Sequence, residues 1–163
     1  MQLFNSSKEN DETGIVPLKQ MVLDYLNQKK MVFKTEPGSE VIRLDVAGEN
    51  GRWRITVIVA EEHKFIHIKS FCPVSIRDVQ KLKMAELLCR LNNMYVFGNF
   101  NLNFEEGTIV FKTTNLFAEN NRDYNQFGYL FEFNVSAMDQ NIPVIIAVNS
   151  GYIEPVLATT YTS

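Results

Sequence analysis

The chain has 163 residues, 45% of them hydrophobic and 21% charged, with a formal net charge of −3. That balance excludes intrinsic disorder, which needs low hydrophobicity and high net charge, and a chain this long buries enough surface to fold without disulfides or a structural metal. Sixteen basic residues stand against nineteen acidic ones, and no basic run is longer than Lys29-Lys30. This counts against nucleic acid as a principal ligand, because Lys and Arg drive phosphate binding; only a basic patch assembled by the fold escapes that reasoning.

No stretch of about 18 apolar residues is present to span a bilayer. The polar, acidic opening Met1 to Thr13 lacks the apolar centre of a signal peptide. Two cysteines, Cys72 and Cys89, match no zinc or redox spacing. The expected setting is the cytoplasm, with reduced thiols and no membrane contact.

In chain order, residues 1–14 read as a flexible N-terminal arm. Ile15 to Gln28 carries Ile15, Leu18, Val22, Tyr25 and Leu26 at helical spacing, with Pro17 suited to a first turn and Lys29-Lys30 to the negative end of the helix. Pro37-Gly38 makes a turn. Three strands follow. Ile42, Leu44 and Val46 alternate with Arg43, Asp45 and Ala47; Asn50-Gly51 is a hairpin signal; Trp53, Ile55, Val57 and Val59 alternate with Arg52, Arg54, Thr56 and Ile58; Phe65 to Phe71 is the third run. Short turns imply an antiparallel meander.

Pro73 ends the third strand. Ser75 or Asp78 can cap a helix to about Asn93, with Val79, Leu82, Met84, Leu87, Leu88, Leu91 and Tyr95 as its apolar stripe. Phe100, Leu102 and Phe104 alternate with asparagines in a strand, Glu105-Glu106-Gly107 turns, and Thr108 to Thr113 pairs back. Ala118 to Tyr124 reads as a loop. Gln126 to Asn149 has strand-like composition but a helical stripe of Leu130, Phe133, Ala137, Met138, Ile145 and Val148; the spacing predicts a helix, kinked or broken near Asp139 by Pro143. The order is α-β-β-β-α-β-β-α. It gives an α+β class, with one largely antiparallel sheet carrying helices on one face, a single domain over residues 15–154 and a loose tail over 155–163.

No catalytic, metal or cofactor constellation emerges. His63 and His67 stand about 13 Å apart along a strand and share no zinc. Cys72, beside Phe71 and Pro73, and Cys89, among leucines, read as small core hydrophobes, with no histidine placed as a base for either. Glu61-Glu62 and Glu105-Glu106 fall at hairpin turns and read as solvated carboxylates. No glycine spacing forms a phosphate loop. Phe65, Phe71, Phe100 and Phe104 read as core beneath the helices rather than as a platform for stacking bases, for want of a matching basic surface.

Several segments in order resemble one family: Gly51-Arg52-Trp53, Val59-Ala60-Glu61-Glu62, Phe71-Cys72-Pro73-Val74, Met84 through Asn92, and Phe97-Gly98-Asn99-Phe100-Asn101-Leu102. Together they resemble the YbjN-like family, described as "putative bacterial sensory transduction regulators", over roughly Ile15 to Glu154. The run Leu-Asn-Asn followed by Gly-Asn-Phe-Asn-Leu-Asn-Phe is its most specific part. The resemblance implies the fold of type III secretion chaperones, whose homodimers hold client segments over apolar patches, and implies no catalytic residue or cofactor. The acidic arm and the segment Phe117 to Gln126 do not match the family pattern.

The expected function is that of a non-enzymatic protein-binding regulator or chaperone-like adaptor. It would act as a homodimer on a protein partner that the sequence does not identify. Twelve phenylalanines and six methionines support apolar contact surface. The contact residues expected are Phe97, Phe100 and Leu102 with Tyr129, Phe133 and Val144. The alternative is a small-ligand sensor with an apolar pocket near Phe71, Leu88 and Phe104.

Overall fold

The computed structural model describes residues 16–118 and 123–158 of the chain. Its elements are α1 (Leu18–Gln28), β1 (Phe33–Thr35), β2 (Val41–Ala47), β3 (Arg52–Ala60), β4 (Phe65–Phe71), a 3-10 turn at Asp78–Gln80, α2 (Lys81–Asn92), β5 (Asn99–Asn103), β6 (Thr108–Leu116), α3 (Tyr124–Ser150) and α4 (Pro155–Ala158). The strands form one six-stranded sheet in the order β1-β2-β3-β4-β6-β5, antiparallel throughout. The α+β class and the helix, meander, helix, hairpin, helix order read from the sequence are present, with β1 and α4 added.

Alternation in the strands decides which face is covered. Ile42 and Leu44 of β2, Trp53, Ile55, Val57 and Val59 of β3, Ile66 and Ile68 of β4, Phe100 of β5, and Ile109 and Phe111 of β6 are all buried on one face. Against them pack Leu18, Val22 and Leu26 of α1, Met84, Leu87 and Leu91 of α2, and Phe127, Phe131, Met138 and Ile145 of α3. Fully burying a Leu, Ile or Phe side chain is favourable by roughly 1.5–3 kcal/mol, so this layer dominates the stability. The intervening strand residues point to the opposite face, which carries no helix among the described residues.

Several expectations change. Val79 and Leu82, assigned to the apolar stripe of α2, are each 80% exposed. Val79 lies in the 3-10 turn, whose three-residue repeat rotates it off the helical stripe, and Leu82 sits in the first turn of α2, on the side away from the sheet. The last segment is one helix of 27 residues with Pro143 inside it, on its exposed side, rather than two pieces. Side-chain bonds described below tie it to the sheet, to the β2–β3 turn and to the segment that leads into the 3-10 turn before α2. The tail is docked at its beginning, because Pro155 and Ala158 of α4 are buried. Cys89 is exposed rather than packed among its leucine neighbours. Phe65 and Phe71 lie on the helix-free face, half-buried, and Phe104 is exposed; of those four aromatics only Phe100 is core. The predicted arm, Ile15, residues 119–122 and the tail beyond residue 158 lie outside the described residues.

Candidate functional site

The surface of α3 is set by how firmly that helix is held. Asn134, fully buried at its middle, accepts a hydrogen bond from Ser70 Oγ at 2.6 Å and donates to Thr113 Oγ1 at 3.1 Å. Ser70 Oγ in turn accepts from Trp53 Nε1 at 3.0 Å. This chain of buried polar groups joins β3, β4, β6 and α3, and fixes the helix in one register because each group left unpaired would cost its desolvation. One turn further on, the Asp139 carboxylate accepts from the backbone N–H groups of Glu49 and Asn50, both at 2.9 Å, and so clasps the β2–β3 turn. At its far end Asn149 accepts from the Arg77 N–H at 3.0 Å and donates to the Ser75 carbonyl at 3.1 Å.

Helix α1 is fastened to the same frame. Glu61, in the turn after β3, accepts from the N–H groups of Leu18 at 3.1 Å and Lys19 at 3.3 Å. Read from the sequence as a solvated turn carboxylate, it is instead the N-terminal cap of α1, which Pro17 at the cap position has no side-chain oxygen to supply. Gly128 lets α1 approach α3 closely, since a Cβ there would meet the Tyr25 ring at 2.8 Å. Tyr25 and Lys29 both donate to Glu132, at 3.0 and 2.9 Å. The bond from Lys29, with that from Tyr25, holds the Glu132 carboxyl below the usual carboxylate range. Burial, and then the Glu132 carboxylate, pushes the Tyr25 phenol up.

Two clefts flank the exposed ridge of α3 that carries Glu132 and Ser136. One, of about 750 Å³, lies between α3, α1 and the β2–β3 turn; of the acidic residues that line it, Asp139 is engaged with the turn and Glu132 with Tyr25 and Lys29, and Asp45 and Glu49 line it as well. The other, of about 740 Å³, lies between α3 and the α2–β5 connection and is lined by Phe97, Tyr129, Leu130 and Phe133 with polar groups at its rim. Phe97 is 68% and Tyr129 74% exposed, and the Phe97 and Phe133 rings meet edge to face with centroids 6.3 Å apart.

Of the six contact residues expected from the sequence, the fold brings Phe97, Tyr129 and Phe133 to this cleft. Phe100 is not available for contact: it is 3% exposed and packs on Phe111 at 4.6 Å, because Leu102 and Phe100 share the covered side of β5. Leu102 and Val144 are partly buried against the core. The polar neighbour Asn92, not singled out from the sequence, shapes the cleft indirectly. Its side-chain amide donates to the Phe100 carbonyl at 3.0 Å and accepts from the Phe100 N–H at 2.6 Å, occupying the free edge of β5 and fixing the connection that bears Phe97. The spacing of Asn92 and Phe100 in the family-like run was the signal for it.

The pocket expected near Phe71, Leu88 and Phe104 does not form. Phe71 and Leu88 lie on opposite sides of the sheet, and Phe104 is exposed at the β5–β6 turn. Burial pushes the Cys72 thiol up to about 11. His67 lies on the helix-free face, hydrogen-bonded through Nδ1 to Thr114 at 2.5 Å, away from Cys72 on the covered side. Among the described residues no group of three His, Cys, Asp or Glu side chains is placed to hold a metal ion, and no helix is long and apolar enough to cross a membrane.

No curated protein sequence matches the chain. Among solved structures, the chain is similar to one described as "Crystal structure of YbjN, a putative transcription regulator from E. coli", with 14% sequence identity, a TM-score of 0.62, and coverage of 82% of this chain and 93% of that one. This likeness supports the fold. The sequence over residues 19–147 matches the YbjN family, whose description is "putative bacterial sensory transduction regulator". The match covers most of the chain, from the first turn of α1 nearly to the end of α3, and the chain belongs to the YbjN family.

Proposed function

We propose that this chain is a non-enzymatic, cytoplasmic, protein-binding regulator that self-associates through the Phe97–Tyr129–Phe133 cleft. The observation that carries the reading is the exposure of two large aromatic side chains on the rim of an apolar cleft whose walls are rigidly held. Large aromatic residues bordering a preformed depression suit the anchors of protein interfaces, because they bury large area at little cost in side-chain freedom. Val96 beside Phe97 is 85% exposed and extends the apolar patch. The occupant proposed is the equivalent cleft of a second copy, a self-complementary arrangement of the kind that twofold dimers use. The secretion-chaperone likeness suggested by the sequence fits this reading, as does the family's regulatory description.

Light scattering over a concentration series tests it. The expected mass rises to twice 18.8 kDa, and the double substitution Phe97→Glu with Tyr129→Glu returns the protein to monomer with an unchanged circular dichroism spectrum. Both positions are exposed, so the fold tolerates the charges. A wild-type mass that stays monomeric at every concentration rejects self-association. The cleft volume also falls in the range of small-molecule sites, roughly 300–1,000 Å³, so a monomer stabilised by an apolar small molecule, with Tyr129→Glu abolishing the effect, would favour the sensor reading instead.

A further inference from the structure

The helix-free face of the sheet has a composition unlike the rest of the molecule. Residues paired across strands share a face, and one row runs across all six strands as Lys34, Arg43, Thr56, Lys69, Lys112 and Asn99. Arg54 and Arg52 of β3 lie on the same face beside it. The strands thus present six cations here against one anion, Asp45, and leave ten cations and eighteen anions for the remainder of the chain. The fold has separated charge that the net value of −3 averages away. Among the described residues none of the six is in an ion pair; Lys112 donates to Asn101 at 2.8 Å on the same face.

Rings accompany the cations. Along β4 the side chains on this face are Phe65, His67, Lys69 and Phe71, spaced about 6.6 Å apart by strand geometry. Phe71 is flanked by Arg54 on β3 and lies one step from the cationic row. Asn99, Asn101 and Asn103 complete the face along β5 with donors and acceptors.

We propose that this face binds single-stranded nucleic acid, with phosphates on the row Lys34, Arg43, Lys69 and Lys112 and a base stacked on Phe71. The row spans the sheet, roughly 24 Å for five strand spacings, which is long enough to track several nucleotides. The combination of a cationic track with half-buried rings on an open sheet face suits unpaired bases, whose faces are free, and among the described residues this face offers no protruding helix or ribbon to enter a duplex groove. An acidic peptide would use the charges but gain nothing specific from the rings. Total charge counts against nucleic acid, and the sequence alone places no basic surface beside Phe65 and Phe71; strand pairing brings Arg54, Lys69 and Lys112 to their face.

Fluorescence anisotropy of the full chain with labelled single-stranded RNA and DNA of about 15 nucleotides, the matching duplex, and a polyglutamate peptide of similar charge tests the proposal. Binding is expected to the single strands in preference to the duplex and polyglutamate, with a log–log salt slope near −3 for about four phosphate contacts. Arg43→Glu with Arg54→Glu, both exposed positions, should weaken it more than about tenfold and flatten the slope. Phe71→Leu should weaken it about tenfold while leaving the slope unchanged. Leu82→Glu, at an exposed position of α2 on the other side of the sheet, should bind as the wild type does. No binding at low salt, an unaffected Arg43→Glu and Arg54→Glu variant, or equal affinity for polyglutamate with Phe71→Leu neutral would each overturn the proposal, the last in favour of an acidic protein ligand.

Discussion

The two faces of the sheet are made by the same strands and obey opposite rules. In β6, Phe111 is fully buried beneath α3, whereas its neighbour Lys112 points to the open side and bonds an asparagine. In β4, Ser70 is fully buried and fully engaged by Trp53 and Asn134, whereas Lys69 next to it is part of a cationic row. A polar group on the covered face must find protein partners and thereby fixes the register of α3; one on the open face keeps its water and remains available for a ligand. Stability and recognition are therefore divided between alternate residues of single strands.

That division can be tested most severely at β6. Phe111→Ala is expected to cost about 4 kcal/mol of unfolding free energy, against less than about 0.5 kcal/mol for Lys112→Ala, read from urea denaturation; similar losses would mean the open face is packed after all. Next in size is the polar network. Asn134→Ala leaves Ser70 and Thr113 without their partner in the core, and a loss of about 2–3 kcal/mol is expected. Thr56→Ala on the open face should lie within about 0.5 kcal/mol of wild type. A smaller change concerns the clasp on α1: Glu61→Ala removes its N-terminal cap and should cost about 1 kcal/mol, with earlier hydrogen exchange in α1 than in α3 as its signature.

The smallest expected effect concerns pH. Burial, and then the charges of Lys69 and Lys112, hold the His67 imidazole below its ordinary value of 6.5. The folded state therefore disfavours the imidazolium. As pH falls through 6.5 the unfolded chain takes up a proton that the folded chain resists, so His67 lowers stability progressively until pH drops below its folded-state value. Thermal melts of wild type and His67→Gln should differ by a term that grows on acidification through this window, and a constant difference would show that neither burial nor the cations disfavour the imidazolium. An anion bound on the Lys69–Lys112 row should shrink the same term.

Much of this architecture is legible in the residues. Period-two alternation in Val41–Ala47 and Arg52–Ala60, joined by Asn50-Gly51, gives a hairpin directly, because only one pleat side can be buried. The three-residue β1 is too short for any periodicity to announce it and exists because β2 offers it an edge. Pro143 argues for a break in α3, yet Asn134, Asp139 and Asn149 hold the helix on both sides of it. Glu61 was invisible as a cap because its partners, Leu18 and Lys19, lie more than forty residues away in sequence.

The site divides in the same manner. Phe97, Tyr129 and Phe133 can be picked out by type, but type also offers Phe100 both as contact residue and as core, and the strand's orientation decides for the core. The sequence by itself determined the α+β class, the meander and hairpin, and the family, because hydrophobic spacing and short turns are local properties. The tertiary structure alone decided which aromatics are exposed, that α3 is continuous, and that six cations scattered from Lys34 to Lys112 meet on one surface. Each of those outcomes depends on which strands pair and which face the helices cover, and both are set by contacts between residues far apart in the chain.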